Sequence, residues 1–338
     1  MLVTVVIPTR DRQTVLREAL ASLAAQECTD FEVIVVNDGG TSVDNIVAEW
    51  RQTMPIVAVD VPRSQGPPAA RNLGIAAARG RFLAFLDDDD IFLPSHLRLC
   101  LQPLLAGTAD LVYTDCLVSP RRHAPGELRR DTAGAHYFDY PFDPDFLLVC
   151  NFIPIISVVC RNIAAIDAQF KRGLSSQEDW DLWLRLRFTR RYRFVHLPVI
   201  TTIYHRSPGL GSSTGIAGLT ASAMSGIARD YDALAEQWPV GDDTRIASCR
   251  DLVRRYSQLC ITALEEGRDL AHFRYEKSLR IIRAAFEEKI AIAAAAKHVT
   301  ISLARSWVAH FQSYRQIHAR KRAELMVMCL VVHPASLA

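Results

Sequence analysis

Between Val3 and Leu86 the chain contains four short and nearly unbroken apolar runs: Val3–Ile7, Phe31–Val36, Ile56–Val59 and Phe82–Leu86. A strand with one wet face alternates apolar and polar residues, whereas a run without alternation is buried on both faces. Helical spacing separates the runs. Val15, Leu16, Ala19, Leu20 and Leu23 follow a start near Asp11, a second helix falls at Val43–Arg51, and Pro67–Ala78 begins as a loop and continues as a helix. Such alternation predicts an α/β fold with a parallel sheet covered by helices. Ligands bind such sheets outside the carboxyl ends of the strands. Arg10, Asp38 and the run Asp87–Asp90 all fall there, so scattered polar residues converge on one edge.

Beyond Leu86 the pattern is mixed. Asp110–Asp115 and Ile155–Cys160 read as strands, and Asp139–Leu148 as an aromatic, acidic loop entering a short helix. Trp180–Leu186 reads as a helix, and Phe194–Tyr204 as a strand broken by Pro198. From about Leu219 the strand signals stop. Cys249, Leu252, Val253, Tyr256, Leu259, Cys260, Ala263 and Leu264 form a helical apolar stripe, and Ala304, Trp307, Val308 and Phe311 continue the style. A Gly/Ser/Pro-rich stretch at 207–218 sets a boundary between a domain at 1–215 and a helical region at 216–338. No internal repeat is visible.

With 49% hydrophobic residues the chain has ample core material, and a net charge of +2 gives no reason to expect nucleic acid. Eight scattered cysteines without a CxxC pair point to buried free thiols in a reducing compartment. The N-terminus opens on a strand without a signal-peptide pattern, and no apolar run reaches the length of a membrane span, so the expectation is a cytoplasmic protein.

The four consecutive carboxylates of Asp87–Asp90 follow an apolar run directly. Carboxylates at the end of a buried strand repel one another and resist desolvation, so they need a counter-charge. A hard divalent cation, Mg2+ or Mn2+, suits their oxygens. Magnesium takes only one or two protein carboxylates and fills its other positions with water and phosphates, so the run suggests a diphosphate held through a metal. A solvated acidic loop is the plainer alternative.

Four motifs in order resemble glycosyltransferase family 2: Val6-Ile7-Pro8-Thr9-Arg10-Asp11-Arg12, Val35-Val36-Asn37-Asp38-Gly39, Gly66-Pro67-Pro68-Ala69-Ala70-Arg71-Asn72-Leu73-Gly74, and Phe85-Leu86-Asp87-Asp88-Asp89-Asp90. A fifth, Ser175-Ser176-Gln177-Glu178-Asp179-Trp180, resembles that family's Glu-Asp element. The resemblance covers roughly residues 1–215. It implies a GT-A fold, a Rossmann-like mixed sheet flanked by helices, with a helical C-terminal region. It also implies a nucleoside diphosphate sugar donor, UDP-sugar favoured, and transfer with inversion to an acceptor hydroxyl, in surface glycan or polysaccharide synthesis.

The resemblance further implies roles. Pro8 ends the first strand, and Thr9 and Arg10 line the donor pocket. Asp38 takes an N–H of the base, although Asn-Asp-Gly is also a good turn. Gly66 permits close backbone approach, and Arg71 pairs with a phosphate or the base. Asp89 ligates the metal, and Asp87 the metal or the ribose, their spacing placing both on one face of an extended strand. Asp88 is a second choice among the donor contacts, and Asp90 supports the loop. Asp179 is the general base and Glu178 an acceptor contact, although acids at a helix start also suit the macrodipole. Trp180 could floor the acceptor sugar, with Trp183 in the core. His205 and Arg206 could close over the diphosphate, and residues 205–214 could form a lid.

A sugar nucleotidyltransferase is a rival reading, but Pro8–Arg12 has no glycine for a phosphate loop. A non-catalytic scaffold is another, against which stands the joint presence of the acidic run and Glu178-Asp179. Near the C-terminus Lys297, Arg305, Arg315, Arg320, Lys321 and Arg322 stand among Trp307, Phe311 and Tyr314. A basic amphipathic helix can lie on the inner face of an anionic membrane or pack on the catalytic domain or a second copy. The acceptor expected is a glycan or a lipid-linked sugar. A homodimer is permitted, not required.

Overall fold

The computed structural model of the 338-residue chain describes residues 1–125, 136–166, 168–174, 176–206, 220–268, 270 and 275–301. Within the described residues the chain divides into two compact units. Met1–Gly215 with Gly226–Arg250 forms the first, and Ile216–Ser225 with the chain from Asp251 onward forms the second.

A nine-stranded mixed sheet is the backbone of the first unit. Its opening half is the βαβ series that the apolar runs predict: β1 (Val3–Thr9), α1 (Gln13–Ala24), β2 (Phe31–Asp38), α2 (Asp44–Trp50), β3 (Ile56–Val61), α3 (Pro67–Ala77) and β4 (Phe82–Phe85). These four strands run parallel in the order β3-β2-β1-β4. Every residue of β2 and β4 is buried, which explains why their sequences do not alternate. Pro8 does not end β1. It pairs in register with Val36, one residue before the strand's end and beyond the last pairing with β4 at Val6↔Phe85. Gly74 lets α3 lie close on β1, since a Cβ there would stand 2.3 Å from Val6 Cγ1.

Past β4 the sheet changes direction. β5 (Ile91–Phe92), α4 (His96–Leu105), β6 (Leu111–Ser119), β7 (His136–Phe138) and α5 (Pro144–Val149) lead to β8 (Val158–Arg161), which runs antiparallel to both β4 and β6. Residues 155–157, expected as strand, form a 3-10 turn leading into β8. α6 (Glu178–Leu184) precedes β9 (Phe194–His205), a single strand parallel to β6. Pro198 does not break β9. Thr114 pairs with Leu197 and Asp115 with Ile200, so Pro198 falls in a bulge, where its missing N–H disturbs no ladder bond.

α7 (Ala221–Gln237) and α8 (Thr244–Glu265) carry the predicted helical content, and the stripe Cys249, Leu252, Val253, Tyr256, Cys260 and Ala263 is buried. In the second unit α9 (Tyr275–Phe286) buries Leu279, Ile282, Ala285 and Phe286, and Tyr275 meets Tyr256 edge to face at 5.7 Å. The seven described cysteines are free thiols. Among the described residues no helix is long and apolar enough to cross a membrane. The stretch at 207–218 and most of the basic C-terminal residues, from Ala304 to Val332, lie outside the described residues.

Candidate active site

The carboxyl edge of β1, β2 and β4 carries the acidic residues, as expected. β4 ends at Phe85, and the aspartates that follow form a turn closed by the Asp90 N–H on the Asp87 carbonyl at 3.1 Å. A turn does not keep a strand's alternation, so Asp87 and Asp89 do not share a face with common partners. Asp88 and Asp89 instead share one guanidinium, Arg12 Nη1, at 3.0 Å each. Thr9 Oγ1 donates to Asp88 at 2.7 Å. Asp87 points to Arg71, 2.7 Å away.

Burial, reinforced by the charges of Asp87 and Asp88, lifts the Asp89 carboxyl to about 6. Asp88 is also raised by burial, and Asp90 is pushed well above its ordinary range by burial and its acidic neighbours. Asp90 Oδ2 is buried without a hydrogen-bond partner. A divalent cation relieves this kind of mutual repulsion, and the donor set of hard carboxylate oxygens fits Mg2+ or Mn2+. Among the described residues no three metal-binding side chains converge, and magnesium commonly takes only one or two protein carboxylates.

Arg71, on α3, is the centre of the arrangement. One nitrogen bonds Asp87 at 2.7 Å and the other bonds Glu178 at 2.8 Å, across 107 residues of sequence. The guanidinium thus lies between the acidic turn and the start of α6, over the ring of Phe170 at 5.7 Å. The expectation of Arg71 on a phosphate or base meets this competition: its two terminal nitrogens already serve carboxylates, and only Nε has no partner.

Next to Glu178 stands Asp179. Its Oδ1 accepts the Trp180 N–H at 2.8 Å, and its Oδ2 accepts from Asn151 Nδ2 at 2.9 Å. Burial first, and the neighbouring charge of Glu178 second, push its carboxyl up to about 7, against the opposing pull of Arg71. A carboxyl poised there can take a proton near neutral pH. Gln177 opens the helix at φ 65, a left-handed conformation rare for a residue with a side chain and often found at functional sites.

Several expected contacts are placed differently. Trp180 is fully buried, stacked on Tyr231 at 5.3 Å with Nε1 on the Leu147 carbonyl at 2.8 Å, so it is core and cannot floor a sugar. His205 is also buried. Its Nδ1 donates to the Asp89 carbonyl at 2.8 Å and its Nε2 accepts the His123 N–H at 3.1 Å, so neither ring nitrogen is open to a phosphate. Burial holds this imidazole neutral, down to about 4. Its own N–H caps Asp90 at 2.8 Å, and the residue therefore holds the acidic turn from beneath. Asp38 receives the Ser64 hydroxyl and the N–H groups of Gln65 and Gly66, at 2.6, 2.8 and 2.9 Å. That leaves little free capacity for a base, and its visible work is to shape the loop before α3. Gly66 holds φ 86 there, which a side chain would oppose. Arg10 is largely exposed, with its Nε 3.9 Å from Asp11 Oδ2. Arg206 lies over the Tyr204 ring at 5.4 Å. Arg12, Asn151 and His123 take part in the site without being singled out by the sequence pattern: Arg12 lies within the first motif, but nothing local marks Asn151 or His123.

A mixed α/β sheet thus brings an acidic turn and the carboxyl pair at the start of α6 to one arginine, an arrangement suited to a group-transfer enzyme. The model for glycosyl transferase family 2 matches residues 4–198, and the chain belongs to that family. It is a glycosyltransferase with the GT-A arrangement. It is 30% identical over 205 residues to the uncharacterized glycosyltransferase YwdF of Bacillus subtilis (strain 168), covering 60% of this chain and 74% of the relative. It is also 30% identical over 134 residues to the GalNAc(5)-diNAcBac-PP-undecaprenol beta-1,3-glucosyltransferase of Campylobacter jejuni, covering 39% of this chain and 42% of that one. Among solved structures it resembles TarS 1-349 of S. aureus in complex with UDP-GlcNAc, with a TM-score of 0.52, 18% identity and coverage of 94% and 92%. The mannosyltransferase PcManGT of Pyrobaculum calidifontis, solved with GDP-Man and Mn2+, gives 0.53, 14%, and coverage of 90% and 86%. At those identities the likeness is one of fold.

Proposed function

We propose that residues 1–215 transfer one sugar from a nucleoside diphosphate sugar, UDP-sugar favoured, to an acceptor hydroxyl with inversion. The observation that carries this reading is the placement of Asp179: a carboxyl held by Asn151 Nδ2 and the Trp180 N–H beside Glu178, which Arg71 ties to the acidic turn. In a single displacement Asp179 takes the proton of the acceptor hydroxyl as its oxygen attacks the anomeric carbon. The bond from that carbon to the diphosphate oxygen breaks, and the electron pair leaves with the diphosphate. Glu178 stands beside the incoming hydroxyl. Asp89, with Asp87 as the second carboxylate although its side chain is turned to Arg71, would hold Mg2+ or Mn2+, which when bound neutralises charge on the leaving diphosphate. Thr9 and Arg12 fix Asp88 and Asp89 and keep the turn in shape.

A lipid-linked or surface glycan is the acceptor class we favour. The Campylobacter relative carries undecaprenol diphosphate in its name, and a protein without a spanning helix among its described residues can reach such an acceptor from the membrane's inner face. The helical region at 216–338 is assigned to that contact or to a second copy of the chain. Asp179→Asn tests the core of the proposal. Turnover of a panel of UDP-sugars should fall ~100- to 10,000-fold, with nucleotide affinity retained. Intact turnover sinks the base assignment. The anomeric configuration of the product, read by proton NMR, tests inversion.

A further inference from the structure

We propose that Asn151 is a positioning residue for the general base, holding the Asp179 carboxylate in one orientation from a rigid mount at the end of α5. The inference rests on Asp179 being that base. Asn151 follows α5 by two residues and lies 28 residues before its partner. Its amide orientation is settled by its own neighbours. The side-chain oxygen accepts the Ile153 N–H at 3.1 Å, a local turn bond, which turns the NH2 group toward Asp179 Oδ2 at 2.9 Å. A flipped amide would set NH2 against the Ile153 N–H and lose both bonds.

The mount is built from carbonyls that a helix end leaves without partners. At the C-terminus of α5 three consecutive ones are taken by side chains from three other helices. Leu147 receives Trp180 Nε1, Leu148 receives Arg250 Nε, and Val149 receives the Tyr231 hydroxyl, each at 2.8 Å. Arg250 is itself fixed by the Ala235 and Trp238 carbonyls at 3.0 and 2.8 Å. At the other end of α5 Asp143 caps the N–H groups of Asp145 and Phe146. Asn151 therefore leaves a segment bolted at both ends, and one of the bolts, Trp180, is the residue after the base.

With Oδ1 on the Trp180 N–H and Oδ2 on Asn151, the Asp179 carboxylate has two bonds and keeps its remaining lone pairs for an incoming hydroxyl. The other charged groups around it are Glu178 on its own helix and Arg71 from α3, while Asp230 of α7 takes the Ser176 N–H. A hydrogen bond donated to a carboxylate favours its charged form, so losing it raises the pKa. Asn151 thus acts against burial and Glu178, keeping the base ionised at a lower pH than it would otherwise be.

The test uses the full chain labelled with 13C at aspartate carboxyls. The Asp179 resonance is assigned by its loss in Asp179→Asn and titrated in wild type, Asn151→Ala and Asn151→Asp. We expect its midpoint to rise by about one pH unit in Asn151→Ala, and further in the near-isosteric Asn151→Asp. In parallel, hydrolysis of UDP-glucose, UDP-galactose and UDP-GlcNAc is followed against pH. The acid limb of kcat should move up with the titration, its plateau should fall about tenfold or more, and KM for the donor should hold. An Asp179 midpoint unmoved in a folded Asn151 variant overturns the proposal, and Asn151→Asp supplies that variant if Asn151→Ala fails to fold. A moved midpoint together with full turnover in Asp179→Asn is a different result: the contact is real, but the base reading fails and Asn151 positions nothing catalytic.

Discussion

Arg71 shows how much of this site depends on single side chains. A guanidinium that is 6% exposed lies between two carboxylates, one from the acidic turn and one from the start of α6. Removing it leaves both acids with an unmatched charge in a poorly solvated place, the costly way to break a buried pair. Arg71→Met should therefore lower unfolding stability by about 3 kcal/mol, read from the urea midpoint at constant slope. Arg71→Lys should recover only part of that, because an ammonium is a point charge and cannot fork to two acceptors. Equal stability of Arg71→Met and wild type would mean that Asp87 and Glu178 find other partners. The acids themselves were legible in the sequence, since runs such as Asp87–Asp90 and Glu178-Asp179 declare themselves. Their partners were not. Arg71 meets Glu178 across 107 residues, and Asn151 is one polar loop residue among many until folding brings it to Asp179. Trp180 misled for a related reason: every residue from Trp180 to Leu184 is buried, so spacing could not tell a core face from a ligand face.

At the scale of elements, the parallel half of the sheet could be read because doubly buried strands leave unbroken apolar runs. The mixed half beyond β4 could not. A short run such as Val158–Arg161 carries no mark of direction, and the bulge that accommodates Pro198 exists only in the pairing of β6 with β9. α3 and β1 offer a direct test of the legible half. Their close packing depends on Gly74, where an added Cβ would fall 2.3 Å from Val6 Cγ1. Gly74→Ala should cost about 1–3 kcal/mol as overpacking, although alanine is the better helix former. Val6→Ala makes room at that contact, so the double variant should lose less than the two single losses combined. A double-mutant cycle in urea measures this, and strict additivity would mean that α3 shifts away from β1 instead of pressing on it.

For the whole molecule, charge matters more by placement than by sum. The net charge is +2, yet the site concentrates aspartates whose carboxyls are raised by burial and by one another. Their folded pKa values lie above the unfolded ones, so the folded state holds more protons between about pH 4 and pH 7, and their contribution to stability falls as pH rises. The buried imidazoles His96 and His205, held down to about 3 and about 4, act in the opposite sense. They stay neutral where an unfolded histidine is protonated, so their contribution grows as pH rises toward 6.5. The two slopes oppose in metal-free protein, and a cation on the acidic turn removes one of them. Mn2+ should therefore raise the thermal midpoint more at pH 8 than at pH 5, where it must displace the Asp89 proton. UDP at ~100 times its dissociation constant should add ~2.7 kcal/mol in the presence of Mn2+, GDP and TDP less, and EDTA should cancel most of the UDP effect. An equal Mn2+ shift at pH 5 and pH 8 would place the cation away from Asp89. A UDP shift that survives EDTA in full would leave the turn with Arg12 and Arg71 as its counter-charges and make the transfer independent of metal.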